Sequence, residues 1–417
     1  MAGTYSLQVI YGGLVFEESL QRQQPLVDKA MELDPLSGEA HTAKAELLRG
    51  ARVKTAEEVH DLVEEEYLKA IELNPNYATV RHWYSGWLRN QGRFDEGLAQ
   101  IRVAAELDPM SPIIHLSAAG AVWDTGRVEE ALTLIRRNIE RTPELPGNYG
   151  AMAEFQTQLG HLGEAQRWIQ EARRRDPVDP YKWYTECVGF LNLGDVLSAE
   201  DCARQLREAH PEKVVSDGMW PLLHTYRGER KAAIATLKPA SERVPGYQPW
   251  VRWLADLIAG QGDVKRARRL MVDNFPELIE DGLDLATDDL KAAVFFAAIL
   301  HANGETQRRD VLLLAVEERT ATMHRIRGVG YGILYVYIHA MLGARDRAIA
   351  GLHDAIDVGW RAAPWDPWEN AWWTLRRDWK LANLREDPEF IALLEELEAE
   401  IAKQRQWYED HKDDPLF

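Results

Sequence analysis

The chain is poor in the residues that carry covalent and metal chemistry. Its 417 residues include only two cysteines, Cys187 and Cys202. There is no CxxC, no HExxH and no Cys/His cluster, so no metal-ligating set is legible and no cofactor is expected. A GxSxG elbow and a GxxxxGK[ST] loop are both missing, and no carboxylate pair stands in a distinctive context. Gly328–Gly332 contains a GxG but follows no strand, so it reads as close helix packing. Lone histidines such as His115 and His339 read as packed or solvated side chains. These absences point away from an enzyme. No apolar run approaches the roughly 20 residues that a membrane-spanning helix needs. The most apolar stretch, Ile333–Leu342, is too short and carries His339. The N-terminus, MAGTYSLQVIYGGLVFEESLQ, has neither a basic n-region nor an Ala-x-Ala site, so it is a poor signal peptide. Direct membrane insertion is not expected.

Positive charge is also short. Lys and Arg number 49 against 67 Asp and Glu, and the net charge is −18. Phosphate backbones would be repelled, which excludes general nucleic-acid binding. Basic clusters at Arg173–Arg175, Lys265–Arg269 and Arg308–Arg309 fall near expected helix ends, where cations offset the helix dipole. The acidic stretch Glu57, Glu58, Asp61, Glu64, Glu65 and Glu66 reads as a solvated helix face, with a docking surface for a basic partner as the alternative.

What the chain does have is a period. Pro75, Pro109, Pro143, Pro177, Pro211 and Pro245 are each separated by 34 residues. A strict period of that length marks a stacked repeat array. A Gly precedes most of these prolines, at Gly92, Gly126, Gly160, Gly194 and Gly228, and five residues after it comes Gly97, Ala131, Ala165, Ala199 or Ala233. The Gly falls where a first helix must stop, because it can adopt the left-handed conformation. The small residue lets a second helix approach the first, and the proline closes that second helix. Each unit therefore reads as a helix–turn–helix, and Cys187 and Cys202 fall in the two helices of one unit, where they should face each other. Free thiols in a reducing cytoplasm are the expectation, with a disulfide in a periplasmic protein as the alternative.

The pattern resembles the tetratricopeptide repeat. LKAIELNPNYATVRHWYSGWLRNQGRFDEGLAQIRVAAELDPMSP and GRVEEALTLIRRNIERTP carry that repeat's Gly, small, apolar and Pro positions in register. Gly97 stands where Ala is usual, and Asn138 and Leu206 stand where a second Ala is usual. The resemblance implies an all-α fold: a helical-hairpin solenoid, wound as a right-handed superhelix, with a C-terminal capping helix. About nine to ten hairpins, the outer ones degenerate, are expected over residues 1–362. The first is irregular, with a second helix at Gln24–Leu33, and residues 277–289 interrupt the pattern as an acidic loop. Residues 363–417 form a Trp-rich cap whose last helix runs from Asp387 to about Gln404. LANLREDPEFIALL looks like the closing motif of a branch of bacterial tetratricopeptide proteins. Such arrays occur alone or C-terminal in winged-helix regulators, class III adenylate cyclases and protein kinases, and no such module is visible here.

In such arrays, positions 2, 5, 9 and 12 of each first helix line a concave groove. Carried onto this chain with position 1 three residues after each proline, they select His82, Arg89, Trp123, Glu154, Tyr181, Tyr184, Arg252 and Asp256 as candidate partner-binding residues. The Lys/Arg/Asn set that clamps a peptide's terminal carboxylate is absent, and the middle of the groove is apolar and small. The expectation is a non-catalytic scaffold that binds a protein or peptide, or an apolar segment of the chain itself, with oligomers or hetero-complexes as further partners. The alternative is a ligand-sensing domain of a signalling protein.

Overall fold

The computed structural model describes residues 16–50, 56–244, 247–280, 283, 285, 289–321, 331–362 and 371–416. These residues fold into helices. Among them the sole β pairing is one antiparallel bridge between Ala362 and Ala371. The chain forms two compact units, Met1–Thr125 and Gly126–Phe417.

In the first unit, α1 (Phe16–Leu33), α2 (Gly38–Gly50), α3 (Ala56–Leu73), α4 (Ala78–Asn90), α5 (Phe94–Leu107) and α6 (Pro112–Asp124) pack each against the next. The expected break before Gln24 does not occur: α1 is continuous and carries Pro25 inside it. The second unit opens with α7 (Val128–Arg141). It continues through the pairs α8 (Pro146–Gln158) and α9 (Leu162–Arg175), α10 (Pro180–Asn192) and α11 (Val196–Ala209), and α12 (Val214–Arg227) and α13 (Arg230–Arg243). Then come α14 (Gln248–Ala259), α15 (Val264–Asn274), α16 (Asp289–Ala302), α17 (Thr306–Ala321), α18 (Tyr331–Met341) and α19 (Arg345–Asp357), followed by the short α20 (Trp372–Leu375) and the long α21 (Pro388–His411).

The sequence signals account for these boundaries. First helices begin three residues after Pro75, Pro109, Pro143, Pro177 and Pro211, at Ala78, Pro112, Pro146, Pro180 and Val214. The Gly residues at the hairpin turns take positive φ, +75° at Gly92 and +76° at Gly228, a region closed to most L side chains. Side-chain caps at Ser111, Asp179, Asp195 and Asp263 satisfy the first amides of their helices. Ala131, Ala165, Ala199 and Ala233 are all buried, as close helix contact requires. Gly97 departs from Ala for a local reason: a methyl there would sit 2.7 Å from the Arg89 Cγ. Residues 281–282, 284 and 286–288 of the expected acidic loop at 277–289, and residues 322–330 with the GxG, lie outside the described residues. Pro276–Ile279 forms a 3₁₀ turn.

Cys187 and Cys202 are joined in a disulfide that bridges α10 and α11, not held as free thiols. Their Cα atoms stand 5.3 Å apart, the separation such a bridge needs.

The second unit curls back on itself. The turn after α19 reaches the turn after α8, where a methyl on Gly160 would come within 2.4 Å of the Gly359 carbonyl oxygen. The C-terminal segment then runs along the unit and α21 returns over it. Helix α21 does more than close the last hairpin. Asp387 caps its start and accepts both Arg345 Nε, at 2.6 Å, and Arg345 Nη2, at 2.8 Å, from α19. Its far end lies on α9, where Gln404 Nε2 donates to Gly160 O at 2.6 Å and Gln170 Nε2 donates to Tyr408 at 2.8 Å. Leu162, Leu193, Ile401 and Tyr408 form the apolar seal of that contact. The helix runs to His411, seven residues beyond its expected end.

Candidate partner-binding face

In the first unit the structure closes over the predicted groove residues. His82 is half-buried, and its Nε2 lies 2.8 Å from Ser117 Oγ on α6. Burial, helped by the nearby Arg89 charge, pulls its pKa below the ordinary value, so it is a neutral polar link. Arg89 lies along α6, with its Nη2 3.2 Å from where a Gly120 methyl would stand, and its Nε donates to Asp124 at 2.5 Å. Burial pushes the Asp124 carboxyl up, and Arg89 pulls against that shift. Trp123 is 2% exposed. It is a core residue and not an exposed anchor, which corrects the groove assignment made from its position. The cause is that PIIHLSAAGAVWD is apolar nearly all round, so its burying face is not marked by polarity.

In the second unit the predicted residues fall into two regions. At Gly150 on α8 and Tyr181 at the start of α10 the face is open, whereas on α12 it is covered: Leu222 is buried and a methyl on Gly218 would come 3.0 Å from Trp250. A methyl on Gly150 would meet nothing within 4 Å. Tyr181 is 44% exposed, while Tyr184 and Glu154 are half-buried. Gln158 Nε2 donates to Glu154 at 3.2 Å. Tyr184 lies beside Gly218, its Cε2 3.7 Å from where a methyl on that residue would be.

Across α14, α16 and α18 the face is filled by the chain's own C-terminal segment. Asp256 accepts Trp379 Nε1 at 3.0 Å and Lys380 Nζ at 2.7 Å. Lys380 also pairs with Asp378 at 3.0 Å, and its ammonium lies 4.2 Å from the Phe295 ring centroid and 5.3 Å from that of Tyr337. The Lys380 side chain is 2% exposed. Burial alone would lower its pKa, but Asp256 and Asp378 outweigh burial and hold it above the ordinary lysine value. Burial raises Asp256, and Lys380 opposes that shift. Arg252, on the same helix, is 4% exposed and belongs to the packed interior.

The predicted set is therefore not one surface. Glu154, Tyr181 and Tyr184 remain on an open face, Asp256 holds the C-terminal segment, and Arg252 and Trp123 are buried. The residues missed by sequence reasoning are Trp379 and Lys380. Their signal was faint: a lysine between Trp379 and Leu381 in the aromatic tail. Among the described residues no group of His, Cys, Asp or Glu is arranged to hold a metal ion, and no helix is long and apolar enough to cross a membrane.

A tetratricopeptide-repeat family model matches residues 88–146. No curated protein matches the chain. Among solved structures, the chain is similar to a tetratricopeptide repeat protein from Parabacteroides merdae, with 16% identity and a TM-score of 0.42, covering 58% of this chain and 92% of that one. It is similar to PilW, a widely conserved type IV pilus biogenesis factor, at 19% identity and a TM-score of 0.39, over 51% of this chain and 97% of that one. The Cut9–Hcn1 hetero-tetramer of the APC/C gives 13% identity and a TM-score of 0.45, over 84% of this chain and 66% of that one.

Proposed function

The chain is a tetratricopeptide-repeat protein, and from that premise we propose that it is a non-catalytic scaffold whose second unit holds a segment of a protein partner. The segment lies across α8 and the start of α10, over Gly150, with Tyr181 and Tyr184 as aromatic contacts. One observation carries this reading. Three first helices of the same unit, α14, α16 and α18, already hold a peptide segment, the chain's own Trp379–Lys380, while α8 at Gly150 and α10 at Tyr181 keep their equivalent face open. Exposed tyrosine supplies much contact area at little entropic cost, which suits an anchor. The paired Cys187 and Cys202 support an oxidising compartment as the place where this occurs.

The test is a blocked groove. Gly150→Trp fills open space, so melting should stay close to wild type. Co-purification from the native host with mass spectrometry should then lose a partner that the wild-type chain retains. An unchanged set of partners in the blocked variant would exclude this face.

A further inference from the structure

We propose that the seam between the C-terminal segment and the hairpin turns of the second unit is a binding cleft for a small organic anion, an aromatic carboxylate or aryl phosphate. The cleft has a volume of about 360 Å³ and lies between the α10–α11 turn, Tyr226 on α12, α20 and α21. That size falls in the range of small-molecule sites, which are mostly apolar with a few placed polar groups.

Its walls fit the ligand in two parts. Trp372, Trp373, Tyr226 and Ile401 supply the apolar and aromatic part. The Tyr226 and Trp373 rings lie 5.3 Å apart at an interplanar angle of 51°, which fixes their orientation. Trp372 is pinned by its Nε1, which donates to Asn192 O at 2.8 Å. The second part is cationic. Arg376, Arg377 and Arg405 all border the cleft, against a single lining carboxylate, Glu398. Arg376 is spent on Glu398, with Nε at 3.0 Å. Arg377 donates to Tyr226 O at 2.5 Å, and Arg405 donates to Gly194 O at 3.1 Å.

Those carbonyls hold one nitrogen of each guanidinium, and among the described residues neither arginine forms an ion pair with a carboxylate. Each guanidinium has five N–H donors arranged to receive a planar anion in pairs. Three arginines to one lining carboxylate is a local reversal of the chain's net charge of −18. An aromatic acid would lay its ring on Trp372 and its oxygens between Arg377 and Arg405. Because both arginines also tie the tail to the turns, such a ligand would brace the C-terminal segment against the hairpins.

The test uses the full chain and calorimetric titration with benzoate and phenyl phosphate, set against benzamide and acetate. Binding of either aromatic acid, with benzamide and acetate much weaker, is the expected result. A preference for phenyl phosphate identifies the anion as phosphate, and a preference for benzoate identifies it as carboxylate. Arg405→Gln should weaken binding by roughly tenfold or more. Ala402→Phe fills the cleft from the exposed side of α21 and should abolish binding while leaving the tail contacts intact. Arg385→Gln, on the same segment but outside the cleft, should bind like wild type. Equal binding of benzamide, undiminished binding by Ala402→Phe, or no binding of either aromatic acid overturns the proposal.

Discussion

Gly160 and Gly359 stand back to back, each in a positive-φ turn, at +81° and +97°, so close that neither has room for a methyl group. A methyl on Gly359 would come 2.4 Å from the Leu159 carbonyl oxygen. This contact joins the first complete hairpin of the second unit to the last one. Gly359→Ala should therefore combine a left-handed backbone penalty with a clash, costing at least about 2 kcal/mol. Gly262→Ala is the control. Gly262 has φ +95°, but a methyl there meets nothing within 4 Å, so only the backbone term of roughly 1–2 kcal/mol applies. Equal urea midpoints for the two variants would show that the Gly160–Gly359 contact does not close the unit in solution.

The local rules of the repeat were legible in the sequence, and the closure was not. A 34-residue period fixes what each helix does with its neighbours, so helix starts, turn glycines and buried alanines all follow from spacing. The return of Gly359 to Gly160 spans 359 − 160 = 199 residues. It depends on small rotations summed over many hairpins, and no single motif encodes it. The candidate groove failed at Trp123 for a different reason. Position within a helix marks a face, but which face is buried depends on what packs there. The tail's grip on Asp256 was invisible because a carboxylate at a groove position reads the same whether it awaits a partner or already holds Lys380.

Two substitutions test the register of the hairpins. Ala165 is 2% exposed, so Ala165→Leu should overpack the α8–α9 contact and cost roughly 1–3 kcal/mol. Trp123→Ala should cost roughly 3–5 kcal/mol, as for other buried tryptophans, and should act through stability alone. Chemical denaturation measures both. A Trp123→Ala protein with wild-type stability would return that side chain to the surface.

Alkaline titration should loosen the contact between α21 and α9. Burial is the main cause that pushes Tyr408 up to about 12, and it also raises Tyr226. An unfolded tyrosine ionises near about 10. The folded state therefore holds these protons more tightly, and the stability they contribute is complete below about pH 10 and lost as pH rises through about 12. Phenolate absorbance should appear late, together with faster exchange of the α21 amides. Tyr408→Phe should remove part of that dependence. If the α21 amides open well before any phenolate forms, another group governs the contact.

The filled half of the inner face rests on Lys380, and removing its charge gives the sharpest test of how the tail is held. Lys380 Nζ lies 2.7 Å from Asp256 and 3.0 Å from Asp378, in surroundings that exclude water. A buried pair adds little net stability when intact, but breaking it strands the partner charges. Lys380→Met keeps the stem and the contact with the Phe295 ring while leaving two carboxylates near each other without a cation. The expected loss near neutral pH is about 3–5 kcal/mol. Acid should relieve it. Burial already raises Asp256, and without Lys380 its folded pKa must rise further. A carboxyl whose folded pKa exceeds its unfolded value gains folded-state stability as pH falls through the folded value, so the gap between variant and wild type should narrow toward about pH 5. Urea midpoints of both proteins at neutral and mildly acidic pH measure the effect, and hydrogen exchange over residues 372–387 locates it. A loss of the same size at both pH values would mean that the lysine acts through packing. A loss under about 1 kcal/mol would mean that the tail does not depend on the buried pair.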